Sequence, residues 1–122
     1  MARRRGGRRR EGEGGKKEVP LPSEEEGTIL CVIQRVLGAG WVEAMCTDGK
    51  VYKAWIPGKM RRRVWMHEGD VILLLPWGVR DRKDADVEKG EVVYRYARDE
   101  VRKLIETGVL PEEFLEEVGE EL

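Results

Sequence analysis

Along this 122-residue chain the apolar positions change period several times, and each change marks a different kind of element. Residues 1 to 17 contain no apolar residue after Ala2, so they cannot bury enough surface to offset their ordering entropy and are expected to be disordered. Pro20-Leu21-Pro22 and Glu24-Glu25-Glu26 read as a linker, with order expected to begin near Gly27. Thr28 to Leu37 is dominated by β-branched and aliphatic residues, a long strand closed by the Gly38-Ala39-Gly40 turn. Trp41 to Thr47 then alternates, with Val42, Ala44 and Cys46 on one face and Trp41, Glu43 and Met45 on the other. Asp48-Gly49 is a strong hairpin signal, and the strand after it places Tyr52, Ala54 and Ile56 opposite Val51, Lys53 and Trp55. If the small and aliphatic face is the core, Trp41, Lys53 and Trp55 project outward together.

A basic helical segment is predicted over Lys59 to His67, ended by Glu68-Gly69-Asp70. Val71 to Leu75 is a continuous apolar run of strand length that Pro76 should stop. Arg80 to Asp86 reads as a loop, and Glu91 to Tyr96 as a fifth strand entered through a Lys89-Gly90 turn. The period then lengthens: Val101, Leu104 and Ile105 have helical spacing, Asp99 and Glu100 suit a helix start, and Gly108 suits its C-terminal cap. Pro111 can open a second short helix presenting Phe114, Leu115 and Val118 on one side. The expected class is therefore mainly β. Five strands with a helical segment between the third and fourth, followed by C-terminal helices, have the order of an OB-fold, a five-stranded barrel whose strand 2 and 3 face binds oligonucleotides. Residues 1–26 are assigned to the arm and linker, 27–97 to the barrel and 98–122 to the C-terminal helices and acidic end.

The net charge of -1 conceals a segregation. Residues 1 to 17 carry +6, residues 18 to 27 carry -4, residues 28 to 98 carry +4 and residues 99 to 122 carry -7. A basic arm and a basic middle flanked by acidic segments indicate a polyanion partner and a charge-steered orientation on it. No apolar run approaches the roughly 18 residues of a membrane span, and the arginine-rich start lacks the apolar stretch of a secretory signal. The expected location is cytoplasmic, without a membrane partner. Cys31 and Cys46 lie in apolar, strand-like runs rather than a Cys-x-x-Cys pair and are expected to be buried reduced thiols. The charged fraction of 39%, rich in Glu and Arg, is compatible with a heat-adapted source.

The candidate chemistry is concentrated in Gly58-Lys59-Met60-Arg61-Arg62-Arg63-Val64-Trp65-Met66. Lys59, Arg61, Arg62 and Arg63 can neutralise phosphates, and Trp65 can stack on a base, the combination that single-stranded or irregular RNA requires. A solvated basic helix face with Trp65 turned into the core is the competing reading. Lys53, Trp41 and Trp55 extend the candidate RNA-binding surface, and Arg3, Arg4, Arg5, Arg8, Arg9 and Arg10 add the arm to it. Trp77 is expected to be mostly structural. His67 is the only histidine, no serine or cysteine has a base partner nearby in sequence, and Gly38-Ala39-Gly40 lacks the helix and Gly-Lys-Ser/Thr of a phosphate loop. No enzyme activity, metal or cofactor is expected.

Leu37-Gly38-Ala39-Gly40, Glu43-Ala44-Met45-Cys46 with Asp48-Gly49, and Ile56-Pro57-Gly58-Lys59-Met60-Arg61 through Val64-Trp65 and Gly69-Asp70 resemble translation initiation factor 1A of archaea and eukaryotes. The resemblance continues through Tyr94, Asp99-Glu100 and Leu110-Pro111-Glu112, and the short acidic end is similar to the archaeal branch. It implies a monomeric OB-fold protein that binds small-subunit rRNA at the ribosomal A site, stabilises initiator methionyl-tRNA and promotes subunit dissociation, with initiator tRNA and other initiation factors as indirect partners. It places Lys59, Arg61, Arg62, Arg63 and Trp65 at the rRNA contact. Ala39 stands for a common asparagine of that family, Trp41 for a basic residue, Tyr52 for an arginine and Trp55 for a histidine, an expected exchange of charge for stacking area on one face. A generic cold-shock-like or S1-like RNA-binding module is the alternative function, and an enzyme or metalloprotein using Cys31, Cys46 and His67 is a third.

Overall fold

A computed structural model of the chain describes residues 19–63 and 66–121, with side chains described except at 61–63 and 117–121. Five strands, β1 (Ile29–Gly38), β2 (Trp41–Cys46), β3 (Val51–Trp55), β4 (Val71–Arg80) and β5 (Val87–Arg95), close into a barrel in the order β1-β2-β3-β5-β4. Helix α1 (Gly58–Arg63) lies between β3 and β4 in sequence, and α2 (Arg98–Glu106) and α3 (Glu112–Glu121) follow β5. Every strand pair is antiparallel except β3 with β5. This is the five-stranded barrel and helix order expected of an OB-fold. Among the described residues, no helix is long and apolar enough to cross a membrane.

Strand alternation produces two cores. Cys31, Ile33, Val42, Ala44, Cys46, Tyr52, Ala54, Ile56, Ile72, Leu74 and Val92 fill the barrel, with Met66 below them and Met60 of α1 packed against them. The intervening residues of β1 and β4, Leu30, Val32, Val71 and Leu73, face out of the barrel and are buried with Tyr96, Leu104 and Leu110. Both strands are thus buried on two faces, which is why they read as continuous apolar runs instead of alternating ones. Helices α2 and α3 cover the outer core with Val101, Ile105, Phe114 and Leu115. The α2 start is fixed by Glu100, whose carboxylate accepts from the Ala97 N–H and the Tyr94 hydroxyl at 2.8 Å each.

Several expectations are corrected by this geometry. The packed chain reaches back past Gly27 to Val19, which lies against the outer core, while the Tyr96 hydroxyl donates to the Pro20 carbonyl. Helix α1 is described over Gly58–Arg63, and Met66 and His67 are not helical. Pro76 does not stop β4: it pairs with Gly90 at an irregularity in the β4–β5 ladder, where a residue lacking an N–H is tolerated, and the strand runs on to Arg80. Lys89-Gly90 is strand interior rather than a turn, because β5 begins at Val87. A Cβ at Gly90 would lie 2.7 Å from the Leu75 carbonyl oxygen and 2.9 Å from Leu74 Cδ2, so glycine permits the approach of β4 that the ladder requires.

The reduced-thiol expectation also fails. Cys31 and Cys46 are direct partners in the β1–β2 register, with Cα atoms 3.9 Å apart, and their sulfurs form a disulfide inside the barrel. Sequence spacing alone cannot reveal that a hairpin register faces two cysteines across one rung.

Two predictions follow from these contacts. Chain unfolded without reductant should expose no alkylatable thiol and gain two after reduction, with a stability loss of about 3 kcal/mol for a link of this span; two reactive thiols before reduction would contradict the staple. All three tyrosines are held neutral above the ordinary value of 10: Tyr52 by burial and then its bond to Asp48, Tyr94 by burial and then its bond to Glu100, Tyr96 chiefly by burial. Tyr94 is pushed up to about 12. Since folding favours the neutral phenols, their stabilisation is complete below pH 10 and is lost as pH rises through 12. Ultraviolet titration should therefore show phenolate forming only above pH about 11 and together with unfolding; three reversible ionisations near pH 10 in folded protein would refute the linkage.

Candidate nucleic-acid interface

The Asp48-Gly49 hairpin and the turn between β1 and β2 set which residues of β2 and β3 stand outside. Gly38, Ala39 and Gly40 have φ of 90°, 53° and 87°, three left-handed residues in succession. For Ala39 this is the strained member, since its Cβ disfavours a conformation that asparagine tolerates. The turn ends with the Ile56 N–H donating to the Gly40 carbonyl at 2.7 Å, which ties the start of β2 to the end of β3. Trp41 then pairs with Trp55, and Glu43 with Lys53.

Closure against β5 adds a third row. Lys53 is opposite Lys89 and Trp55 opposite Glu91 in the parallel register. Trp41 becomes the hub of the face: Trp55 meets it edge-on at 5.2 Å between ring centroids and Trp77 at 6.0 Å. The ammonium groups of Lys53 and Lys89 lie 5.2 and 5.6 Å from the Trp41 ring centroid, within cation–π range. Trp77 is oriented by its indole N–H, which donates to Glu91 at 2.9 Å, and is 41% exposed. Asp81 approaches Lys53 only to 3.9 Å, and Glu43 is engaged by Arg35 at 2.8 Å, a bond that raises the guanidinium pKa.

The outward grouping of Trp41, Lys53 and Trp55 is thus present, half-buried and preorganised. Trp77, expected to be mostly structural, lies exposed on this face, because β4 continues beyond Pro76. Tyr52 is the opposite case: it is buried in the barrel with its hydroxyl on Asp48, so it adds no stacking area outside. Lys89, Trp77 and Glu91 were missed. Alternation in Val87 to Arg95 was the available signal, obscured by reading Lys89-Gly90 as a turn.

Helix α1 follows β3 directly in the chain, after Ile56-Pro57. Lys59 is exposed on it, while Met60 anchors it to the barrel core. Arg61, Arg62 and Arg63 belong to its backbone, their side chains lying outside the described residues. Trp65 and the arm residues Arg3, Arg4, Arg5, Arg8, Arg9 and Arg10 lie outside them altogether. His67 is exposed 3.9 Å from Asp70, and among the described residues no group of three or more His, Cys, Asp or Glu could hold a metal ion.

The chain is similar throughout to one group of proteins. A family model described as translation initiation factor 1A / IF-1 matches residues 16–119. A translation initiation factor 1A of Aeropyrum pernix is 64% identical over 119 residues, covering 98% of this chain and 97% of the relative. Proteins of the same name from Desulfurococcus amylolyticus and Thermococcus kodakarensis are 50% and 44% identical, over 84% and 80% of this chain and 84% and 79% of their own lengths. With that coverage and a barrel of the expected topology, the chain belongs to the translation initiation factor 1A family and is an archaeal-type translation initiation factor.

Proposed function

We propose that the chain binds rRNA of the small ribosomal subunit at the A site as a monomer, stabilises initiator methionyl-tRNA there and promotes dissociation of ribosomes into subunits. It acts in the cytoplasm, without catalysis or cofactor, and meets initiator tRNA and other initiation factors indirectly. The observation that supports this reading is the Trp41, Trp55 and Trp77 face with Lys53 and Lys89 on the Trp41 ring, followed in the chain by Lys59 and the α1 backbone that carries Arg61, Arg62 and Arg63. Cations neutralise the phosphate backbone while indole faces accept unstacked bases, and neither group requires a particular sequence. Trp65 and the six arm arginines extend the same surface in this proposal. Co-sedimentation with small subunits, with and without an A-site competitor, tests the site: the competitor should displace the protein, and unchanged co-sedimentation would refute it.

The electrostatic part has a measurable slope. Neutralising about five phosphates gives a decline of log affinity with log salt of roughly -3.5, and Lys53→Gln with Lys89→Gln should make it shallower by about 1.4. A slope near zero would reject the account. The aromatic part separates two tryptophans that composition cannot distinguish. Trp77→Ala, at an exposed ring, should weaken subunit binding by about 1 to 3 kcal/mol with folding retained. Trp41→Ala removes the hub that positions its neighbours, so it should lower thermal stability as well. Equal effects of the two variants on melting and binding would overturn this division.

A further inference from the structure

We propose that the cleft between the barrel and the C-terminal helices binds an extended segment of a partner protein, held by an aspartate or glutamate of that segment beside an aliphatic residue. The cleft has a volume of about 540 Å³. Asp70 enters it from the connection before β4, Arg95 and Tyr96 from the end of β5, Arg98 and Val101 from α2, and Leu115 from α3. Small-ligand pockets run to roughly 300–1,000 Å³, so this one takes a short stretch of chain and not a folded domain. None of its lining residues belongs to the aromatic face.

Arg95 is the residue that points to a ligand. Its Nε is sealed from solvent without a hydrogen-bond partner, and its Nη1 lies 3.8 Å from Asp70, too far for a hydrogen bond. Asp70 meanwhile accepts from the His67 N–H at 2.8 Å. Among the described residues the guanidinium thus has its donors and no hydrogen-bond acceptor, although 32% of the side chain stays exposed on the cleft. Unsatisfied donors are costly, and a planar fork of this kind matches a carboxylate. The packing that encloses Nε holds the head group in place before a ligand arrives. Arg98 is exposed and forms no ion pair among the described residues, so a second guanidinium is available beside the first.

The rest of the lining sets the chemistry of the occupant. Val101 follows Arg98 by three positions on α2, so the two share a helix face, and Val101 and Leu115 are partly buried edges of the outer core. An apolar floor therefore lies beside the cations. Glu68 and Asp70 line the same cleft, and with Arg95 and Arg98 they bring its formal charge to zero when His67 is neutral. A phosphate backbone, whose binding grows with the number of cations it neutralises, gains little from such a lining. One carboxylate set on the arginines gains their hydrogen bonds without carrying further negative charge toward Glu68 and Asp70. The aromatic face stays free for nucleic acid while such a partner is bound.

This site does not depend on the ribosomal one proposed above, and its test needs no ribosome. The full chain is titrated with acetyl-Gly-Glu-Leu-Gly amide, with its glutamine counterpart, with acetyl-Gly-Leu bearing a free C-terminus, with inorganic phosphate and with a short single-stranded RNA. Proton–nitrogen NMR follows the Arg95 Nε–H and the amides of residues 67–71 and 98–101. The glutamate peptide should shift these signals saturably, with a Kd on the order of 1 mM, and leave β2 and β3 unmoved. Its glutamine counterpart should bind about tenfold more weakly. Arg95→Lys keeps the charge but loses the fork, and Arg98→Gln changes an exposed position; each should weaken the glutamate peptide about three- to tenfold while melting stays unchanged. Equal binding of the glutamate and glutamine peptides would reduce the cleft to an apolar patch and overturn the proposal, as would the absence of a saturable shift at about 10 mM peptide. Tighter binding of the free C-terminus, of phosphate or of RNA at the same residues would assign the cleft to a chain end or a phosphate ligand and would overturn it too.

Discussion

The close approach of β4 and β5 at Gly90 is the constraint on which the interface depends. A side chain at this position would collide with the Leu75 carbonyl and the Leu74 side chain, so only glycine lets β5 pair with β4 on one side and with β3 on the other. Those two pairings close the barrel. They also decide what the neighbours of Gly90 do: with Gly90 inward against Ala54, Lys89 and Glu91 must point outward. Lys89 then reaches the Trp41 ring and Glu91 orients Trp77. A closed barrel and a charged aromatic exterior thus have a common cause in one absent Cβ.

Burial on both faces of β1 and β4 has a second consequence. The outward residues Leu30, Val32, Val71 and Leu73 demand a cover, which α2 and α3 supply together with Val19. A barrel serving only as an RNA platform does not need that layer. The disulfide reinforces the same region, since it joins β1 to β2 inside the barrel directly behind the two-sided strand.

Local patterning made much of this legible. Alternation in Trp41 to Cys46 and Val51 to Trp55 assigned the faces of β2 and β3 correctly, because a half-buried hairpin writes its geometry into a period of two. Gly108 and Asp99-Glu100 marked the ends of α2 for equally local reasons. What escaped notice was non-local. Pro76 and Gly90 look like breakers, yet they pair with each other at an irregular rung, where Pro lacks a donor that is not needed and Gly makes room. The partner that excuses each of them is fourteen positions away. Missing that pairing hid the continuation of β4, and with it Trp77, as well as the first half of β5 and Lys89. The cysteines failed similarly: their burial is a property of each strand, whereas their bond is a property of the register between strands.

The composition of the interface also limits the kind of recognition it can perform. Its side chains are indoles held edge to face and ammonium groups resting on one of the rings, with the nearby carboxylates Glu43 and Glu91 engaged by Arg35 and Trp77. Indole faces stack on any base, and lysines approach any phosphate, so such a surface carries little of the donor and acceptor pattern that reads base edges. Its selectivity must come from shape. Edge-to-face packing around Trp41 fixes the relative angles of the rings, and the parallel Lys53–Lys89 rung fixes the spacing of the charges, before any partner arrives. A nucleic acid whose bases are already unstacked at matching angles would bind without reorganising the protein, whereas a regular duplex would leave the indoles unused. In the rRNA contact proposed above, preorganisation of this sort would favour a structured site within a folded RNA over a flexible single strand of equal charge.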